Sequence, residues 1–313
     1  MLNRRHIRIK VMQAIYAMQT SGNDNMESQE KFLMVSLENI QDLYLTIMSV
    51  FAELKKNEAK YLELLRKKHL ATPEERNPNT KFIDNKVLAL IEENESLNNA
   101  LDARKIKTFE LKNDFILALL KDIKASEIYT NYMADKTRSF EGDKLFIEQL
   151  FIDLIASNDK LYEFIEDSKL TWVDDLPVVN TLILKQLKSI KNIENSFFVP
   201  RVYKDIEDKE YAQALFRKTV LNSKELEKEF SEKTMNWDSD RIAEMDSIIL
   251  KLAICELLKF PSIPVKVTIN EFLELSKEYS TKKSSIFING ILDNLVKDYT
   301  ANKRLIKTGR GLM

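Results

Sequence analysis

Helix breakers are nearly absent from this chain, and that scarcity constrains its fold more than any other feature. Five glycines and six prolines punctuate 313 residues. Glycine and proline are the residues that end elements and make tight turns, so most of the chain must run in long uninterrupted segments. Those segments are rich in Lys, Leu, Glu and Ile, and their apolar residues return at the helical period. With 44% apolar residues the chain has enough to bury a sizeable core. The expectation is an all-α protein of one large or two ordinary domains.

The stripe Ile7, Val11, Ala14, Ile15 and Met18 predicts a first helix over about residues 3–21, stopped by Gly22. Two long helices are predicted near 27–53 and 55–69. Pro73 and Pro78 predict a loop over 71–79. Helices follow near 82–94, 108–122 and 124–134, and residues 135–143, with Gly142, read as a linker. A weak internal repeat begins after that: Leu150-Phe151, Leu161 and Trp172 recur 65 residues later as Leu215-Phe216, Leu226 and Trp237. Either two similar helical hairpins stack in one bundle, or amphipathic helices match by chance.

Charge is unevenly placed. The first 20 residues hold Arg4, Arg5, Arg8 and Lys10 and no acid, and Lys303, Arg304, Lys307 and Arg310 crowd residues 300–313, again without an acid. The net charge is only −1, so the rest of the chain is acidic. Helical spacing puts Arg5, Arg8, Met12 and Tyr16 on one strip beside the buried stripe. Arg4 and Arg5 lie in the first turn, where cations oppose the helix dipole. Guanidinium forks suit phosphates and base edges, and an aromatic neighbour offers stacking to an unpaired base. Two readings fit this patch, an RNA contact or a helix end kept soluble by arginine. The basic tail likewise reads as a polyanion contact or as a solvated, frayed end.

The second half carries an ordered series of special residues. Arg241-Ile242-Ala243-Glu244-Met245-Asp246 opens an almost wholly apolar helix that runs to Phe260. Such a helix belongs at the centre of a bundle. Its line of Met245, Ile249 and Leu252 continues to Glu256, a carboxylate that must meet water, a donor or a partner. Pro261 and Pro264 end it. The next helix starts either at Pro264 or at a capping box formed by Thr268 and Glu271. Asn270 and Glu271 are expected to hold that corner by hydrogen bonds. Phe287-Ile288-Asn289-Gly290-Ile291-Leu292-Asp293 lies in a last helix near 284–299, where a mid-helix glycine is expected to permit a close helix crossing. Thr281, Lys282, Lys283, Ser284 and Ser285 stand at its N-terminus, a candidate phosphate site.

These residues resemble the NusB family, the RNA-binding adaptors of bacterial transcription antitermination. The match runs nearly residue by residue from about Trp237 to Leu295, through "ELL…IP.KV.INE" to "FINGILD". The first helix is similar too: Arg4, Arg5, Arg8, Gln13, Ala14 and Tyr16 fit the family's arginine-rich opening, with Ile15 in place of the usual Leu. The resemblance implies a NusB-like helical bundle, two small helical sub-bundles packed across each other. It implies that Arg4, Arg5 and Arg8 bind the boxA RNA element, with Tyr16 beside them, and that Lys282, Lys283 and Ser284 form a second RNA contact. It also implies that Glu256 contacts NusE, the ribosomal small-subunit protein that is the family's partner. At the second corner the chain departs from the pattern, because Ile286 stands before Phe287 where a basic residue is usual. The expected organisation is a basic first helix over 1–22, a large helical insertion over 23–205, a NusB-like helical domain over 206–300 and a basic tail over 301–313.

Enzymatic readings find no support. His6 and His69 are the two histidines, and neither stands in a metal or nucleophile pattern. No G-x-S-x-G, H-E-x-x-H or P-loop occurs. A related domain is fused to rRNA cytosine methyltransferases, but no Gly-rich, strand-forming stretch is left here for that fold. The lone Cys255 cannot form a disulfide within the chain. No apolar run spans a bilayer and no signal peptide opens the chain. The expectation is therefore a cytoplasmic, non-enzymatic factor with no cofactor and no metal. It would bind boxA-like RNA in rRNA leader transcripts, with a NusE-type ribosomal protein and the RNA polymerase antitermination complex as partners. The rival is a helical scaffold that binds protein alone.

Overall fold

The computed structural model describes residues 1–192, 197–233 and 243–312. Trp237, Arg241 and Ile242, three of the motif residues above, lie outside the described residues, as does the side chain of Arg310. Among the described residues there are 16 α-helices and no strand. In chain order they are α1 (Arg4–Ser21), α2 (Met26–Arg66), α3 (Pro73–Arg76), α4 (Lys86–Glu92), α5 (Glu95–Arg104) and α6 (Thr108–Leu111). Then come α7 (Asn113–Ala125), α8 (Glu127–Ala134), α9 (Phe140–Leu150), α10 (Asp159–Ser168) and α11 (Leu176–Ser189). The series ends with α12 (Ile206–Leu221), α13 (Ser223–Ser231), α14 (Glu244–Lys259), α15 (Val265–Tyr279) and α16 (Ser284–Ala301).

The chain clusters into two compact units, one of residues 38–202 with Met1, the other of residues 2–37 and 203–313. The division falls inside α2, after Leu37, and not at the Gly22 turn where the sequence places it. The first turns of α2 belong with α12, because Arg217 Nη2 donates to Glu30 Oε1 at 2.8 Å and Gln213 Nε2 to the same oxygen at 3.2 Å.

Within the 38–202 unit, α2 is one helix where two were expected. Nothing between 53 and 55 breaks it, and Leu54 is fully buried. The predicted loop at 71–79 contains the short α3, since Pro73 opens a helix whose donors Thr72 and Glu75 satisfy as a capping box. α5 was not foreseen; Asn94 caps it by accepting from Leu97 N at 2.8 Å. The expected linker 135–143 is an ordered entry into α9. Asp143 is buried, accepts from Tyr132 OH at 2.7 Å and from Lys86 N at 2.9 Å, and so ties α9 to α8 and α4.

The second unit holds the motif series. α1 packs on α12 and α12 on α13, α15 packs on α16, and α14 touches all five. Every residue from Ile248 to Leu257 is buried, as a helix apolar nearly all round requires. Cys255 sits there, and burial pushes its thiol up to about 11. Helix α15 starts at Pro264, which settles the choice left open above: Thr268 is an interior residue and no cap. The segment after α16 is not frayed. Arg304 forks onto Glu229, Nη1 to Oε2 at 3.0 Å and Nη2 to Oε1 at 2.6 Å, and lies over the Tyr299 ring.

Gly290 corrects an expectation. It is exposed, and a Cβ built on it meets nothing within 4 Å, so no helix among the described residues crosses there. Replacing Gly290 with Ala is predicted to stabilise the protein by up to about 1 kcal/mol, the helix-propensity difference, and Gly290→Leu is also predicted to be tolerated. Thermal melts of both variants check this; a lowered midpoint for Gly290→Ala refutes it.

Candidate functional site

The site grows from the first turn of α1. Asn3 caps the helix, its side chain accepting from His6 N at 3.0 Å. No acid of α1 itself stands in that turn, so the arginines find carboxylates on other helices. Arg4 Nε donates to Asp208 Oδ1 at 3.0 Å, and its Nη2 lies 3.9 Å from Glu207. Both acids occupy the first turn of α12, where the helix dipole favours negative charge. Arg4 also lies over the Tyr211 ring, 5.1 Å from its centroid. Arg5 forks onto Glu271 of α15, Nε to Oε2 at 2.9 Å and Nη2 to Oε1 at 3.0 Å. The hydrogen bonds to Glu271 raise the Arg5 pKa further. Glu271 thus holds the corner, as expected of it, while Asn270 is exposed.

Arg8 and Glu256 require a correction. The expectation placed Arg8 on an RNA-facing strip and Glu256 at a wet helix end facing a protein partner. Their side chains are 2% and 0% exposed. Arg8 Nε and Nη2 donate to the two Glu256 oxygens, each at 2.8 Å. Thr268 Oγ1 donates to Oε1 at 2.7 Å, and the Tyr211 hydroxyl donates to Oε2. Tyr211 is buried, and desolvation holds its phenol pKa well above the usual value, so it remains a donor. Arg8 is further enclosed by the Tyr211 and Phe272 rings. With its lone pairs filled from α1, α12 and α15, the Glu256 carboxylate has no way to reach a partner protein, and Arg8, at the floor of a cleft, presents almost no surface to RNA. The predicted strip is split: Met12 is buried as well, and Tyr16 is 38% exposed.

What remains open is a cleft of about 610 Å³. Arg4, Arg5 and Arg8 line it together with Asn3, Glu207, Ser262, Ile263, Pro264, Val267 and Glu271. Its mouth is therefore cationic and acidic at once, and its wall is the apolar α14–α15 corner. Pro264 precedes α15 with no side-chain cap, so the first amides of that helix have no side-chain acceptor from its cap.

The other predicted contact lies at the far end of α15. Ser284 is 2% exposed and its hydroxyl donates to Asp246 Oδ2 at 2.8 Å, while Ser280 Oγ donates to Oδ1 at 2.6 Å. Ser284 is thus a structural hydroxyl, and its assignment as an RNA contact is corrected on that ground. Lys282 and Lys283 are exposed and make no ion pair among the described residues. Eight residues of α15 separate Glu271, where Arg5 sits, from the end of the helix at Tyr279, about 12 Å at the rise of a helix. The structure does not bring the arginines and these lysines into one pocket.

The acids that face the arginines were the part missed by the sequence. Glu271 stood in a recognised motif, but Asp208 and Glu207 carry no signal except their place just after a helix start.

The NusB family model matches residues 181–297. A transcription antitermination protein NusB of Clostridium kluyveri is 41% identical over 171 residues, 54% of this chain and 97% of the relative. The NusB of Salinibacter ruber is 39% identical over 109 residues, 35% of this chain and 68% of the relative. The chain belongs to the NusB family. The NusB of Chloroherpeton thalassium is 36% identical over 112 residues, 36% of this chain and 53% of the relative. No solved structure matches the chain significantly. As a family member it keeps the all-α bundle, and the matched region contains α12 through most of α16. No helix among the described residues is long and apolar enough to cross a membrane, and no group of three or more His, Cys, Asp or Glu among them has the makings of a metal site.

This geometry makes two outcomes measurable. Glu256→Ala removes both hydrogen bonds to the buried Arg8 guanidinium and leaves it only the longer approach to Glu271, 3.6 Å from Nη1, a defect that costs about 3–5 kcal/mol, a large part of a typical domain's stability. Urea titration is the check, and a loss under about 1 kcal/mol would mean that the pair is not intact in solution. The second concerns His6, whose Nδ1 is buried without a partner among the described residues. Burial, then Arg5 and Lys10, lower its pKa from 6.5. In the unfolded chain it takes a proton below about 6.5, whereas in the fold it resists. Stability should therefore fall as pH drops through that value, and His6→Gln should flatten the midpoint between pH 7 and 5. Equal pH slopes for the two proteins would refute it.

Proposed function

We propose that this protein is a non-enzymatic antitermination factor that binds boxA-like RNA from rRNA leader transcripts through the Arg4–Arg5 cleft. The exposed Lys282–Lys283 corner adds a second phosphate contact, and Tyr16 offers an exposed ring for stacking. A NusE-type ribosomal protein joins it, within the RNA polymerase antitermination complex of the cytoplasm. Membership in a family whose relatives bear the antitermination name supports this reading. The observation that carries it is the cleft itself: two half-exposed arginines and uncapped helix amides against an apolar wall. Phosphate suits the cations and amides, and a base face suits the wall. In this reading residues 38–202 are an insertion into the bundle, and Glu256 is no longer a partner contact.

One observation favours the rival, a scaffold that binds protein alone. Each α1 arginine already meets a carboxylate of its own chain. RNA must therefore displace Asp208 and Glu271 from Arg4 and Arg5. The arginine ends of those pairs are half-exposed, but Asp208 is 8% and Glu271 22% exposed, so displacing them costs more than the about 0–1 kcal/mol of a fully exposed pair, and the RNA contacts must offset that cost.

The test is a titration of labelled boxA-type RNA against a scrambled control, with and without the NusE-type protein. Arg4→Ala/Arg5→Ala should fold normally and lose most RNA affinity. Its plot of log affinity against log salt should flatten by about 0.7 for each phosphate of a single strand that is no longer neutralised. Lys282→Ala/Lys283→Ala should weaken binding less, with a similar flattening. Unchanged affinity and slope in the arginine double variant would remove the cleft from the site and leave the scaffold reading.

A further inference from the structure

The segment after α16 turns back onto the wall of the cleft. Thr308 N donates to Pro261 O at 3.0 Å, and Lys307 Nζ donates to Phe260 O at 3.1 Å. Gly311 is buried against the same corner: a Cβ built on it would lie 1.9 Å from Pro261 O and 3.3 Å from Ser262 C. No side chain fits that approach, since a contact so short forces backbone to move. Gly309, at φ 54°, supplies the left-handed turn that brings the segment round. Upstream, the Arg304 fork on Glu229 fixes where the segment starts. Three positions, Lys307, Thr308 and Gly311, thus meet one seat, Phe260–Ser262. The next residues, Ser262, Ile263 and Pro264, line the cleft. This corner has no regular structure of its own, as it spans the break between α14 and α15.

We propose that residues 304–312 are a strap that positions the Phe260–Pro264 wall and thereby sets the affinity of the cleft for RNA. The inference rests on the reading of the cleft as an RNA site. Thr308 and Gly311 are positioning residues: they touch the corner and not the nucleic acid. The strap acts by geometry and adds no phosphate contact, which separates it from a basic tail that simply attracts a polyanion. Of its cations with described side chains, Lys307 is bound to a backbone carbonyl and Arg304 to a carboxylate.

The experiment uses the full chain and labelled single-stranded boxA-type RNA. Gly311→Val cannot seat, and Thr308→Pro has no amide to donate. Ile306→Ala, at a position 70% exposed, is the control on the same segment. Both seat variants are expected to bind RNA at least about fivefold more weakly, the low end of typical coupling between sites. Their salt slopes should equal wild type, because Arg4 and Arg5 still reach the phosphates, and the backbone amide resonances of Ile263 and Val267 should shift. Ile306→Ala should match wild type in all three. A purely stabilising segment would lower the melting temperature and leave affinity unchanged well below it, and that result overturns the proposal. So does a loss of affinity accompanied by a flattened slope, which would make the segment a direct phosphate contact. If the wild-type chain itself binds no RNA, the reading of the cleft fails and the strap's role falls with it. If wild type binds and the variants bind equally, only the strap fails.

Discussion

The Arg8–Glu256 pair is the point on which the motif-bearing unit turns. Two full charges are withdrawn from water there, and the attraction between them rarely does more than offset that cost. What the pair does well is fix an arrangement. Glu256 takes donors from α1, α12 and α15 while standing on α14, so four helices must keep one register for its lone pairs to be filled. A slip of any one leaves a buried charge or a buried hydroxyl unpaired, which costs far more than the pair contributes when intact. Arg4 and Arg5 lie within about one turn before Arg8 on the same helix. Holding Arg8 inside therefore delivers those two side chains to the mouth of the cleft. The residues that meet solvent are placed by one that does not.

The chemistry of the mouth follows from where α12 and α15 begin and run. Asp208 and Glu271 hold the two arginines in defined directions and lower the field that the cleft presents to distant anions. Such a site trades non-specific attraction for selectivity: a polyanion that offers phosphate alone must break two ion pairs, whereas one that also places a base on the apolar wall offsets that cost.

Much of the fold could be read before any coordinate. The scarcity of breakers indicated an all-α chain, and the wholly apolar stretch before Phe260 indicated the central helix. Local rules failed where tertiary contacts decided. Gly142 suggested a linker, yet Asp143 beside it anchors α9 by bonds to two other helices. Thr268 had the spacing of a cap, but its hydroxyl is used by Glu256, twelve residues back in sequence. Gly290 suggested a close crossing, and the crossing is not there. At the site, periodicity placed Arg4, Arg5 and Arg8 on one helix and gave no means of telling which of them faced inward. That depends on a carboxylate 248 residues away, and separation of this kind leaves no trace in a local pattern. The basic run at 303–310 had the same ambiguity, because attraction to a polyanion and a seat against Pro261 call for similar residues.

The separation of the two cationic places has a consequence for the proposed ligand. Arg5 meets Glu271 midway along α15 and the lysines follow its C-terminal end, about 12 Å further along the axis. Neither can be reached from the other by one nucleotide. A strand stacked at about 3.4 Å per nucleotide needs roughly four to pass from the Arg4–Arg5 cleft to Lys282 and Lys283. A duplex is rigid over that length and hides its base faces, so it has nothing to place against Ile263 and Val267. A single strand is free to turn a base into the cleft and still lay its phosphates along the lysines. The geometry therefore selects length and strandedness before it selects sequence, and base identity is left to the few groups at the mouth: Glu207, with its carboxylate largely in water, and the amides that open α15.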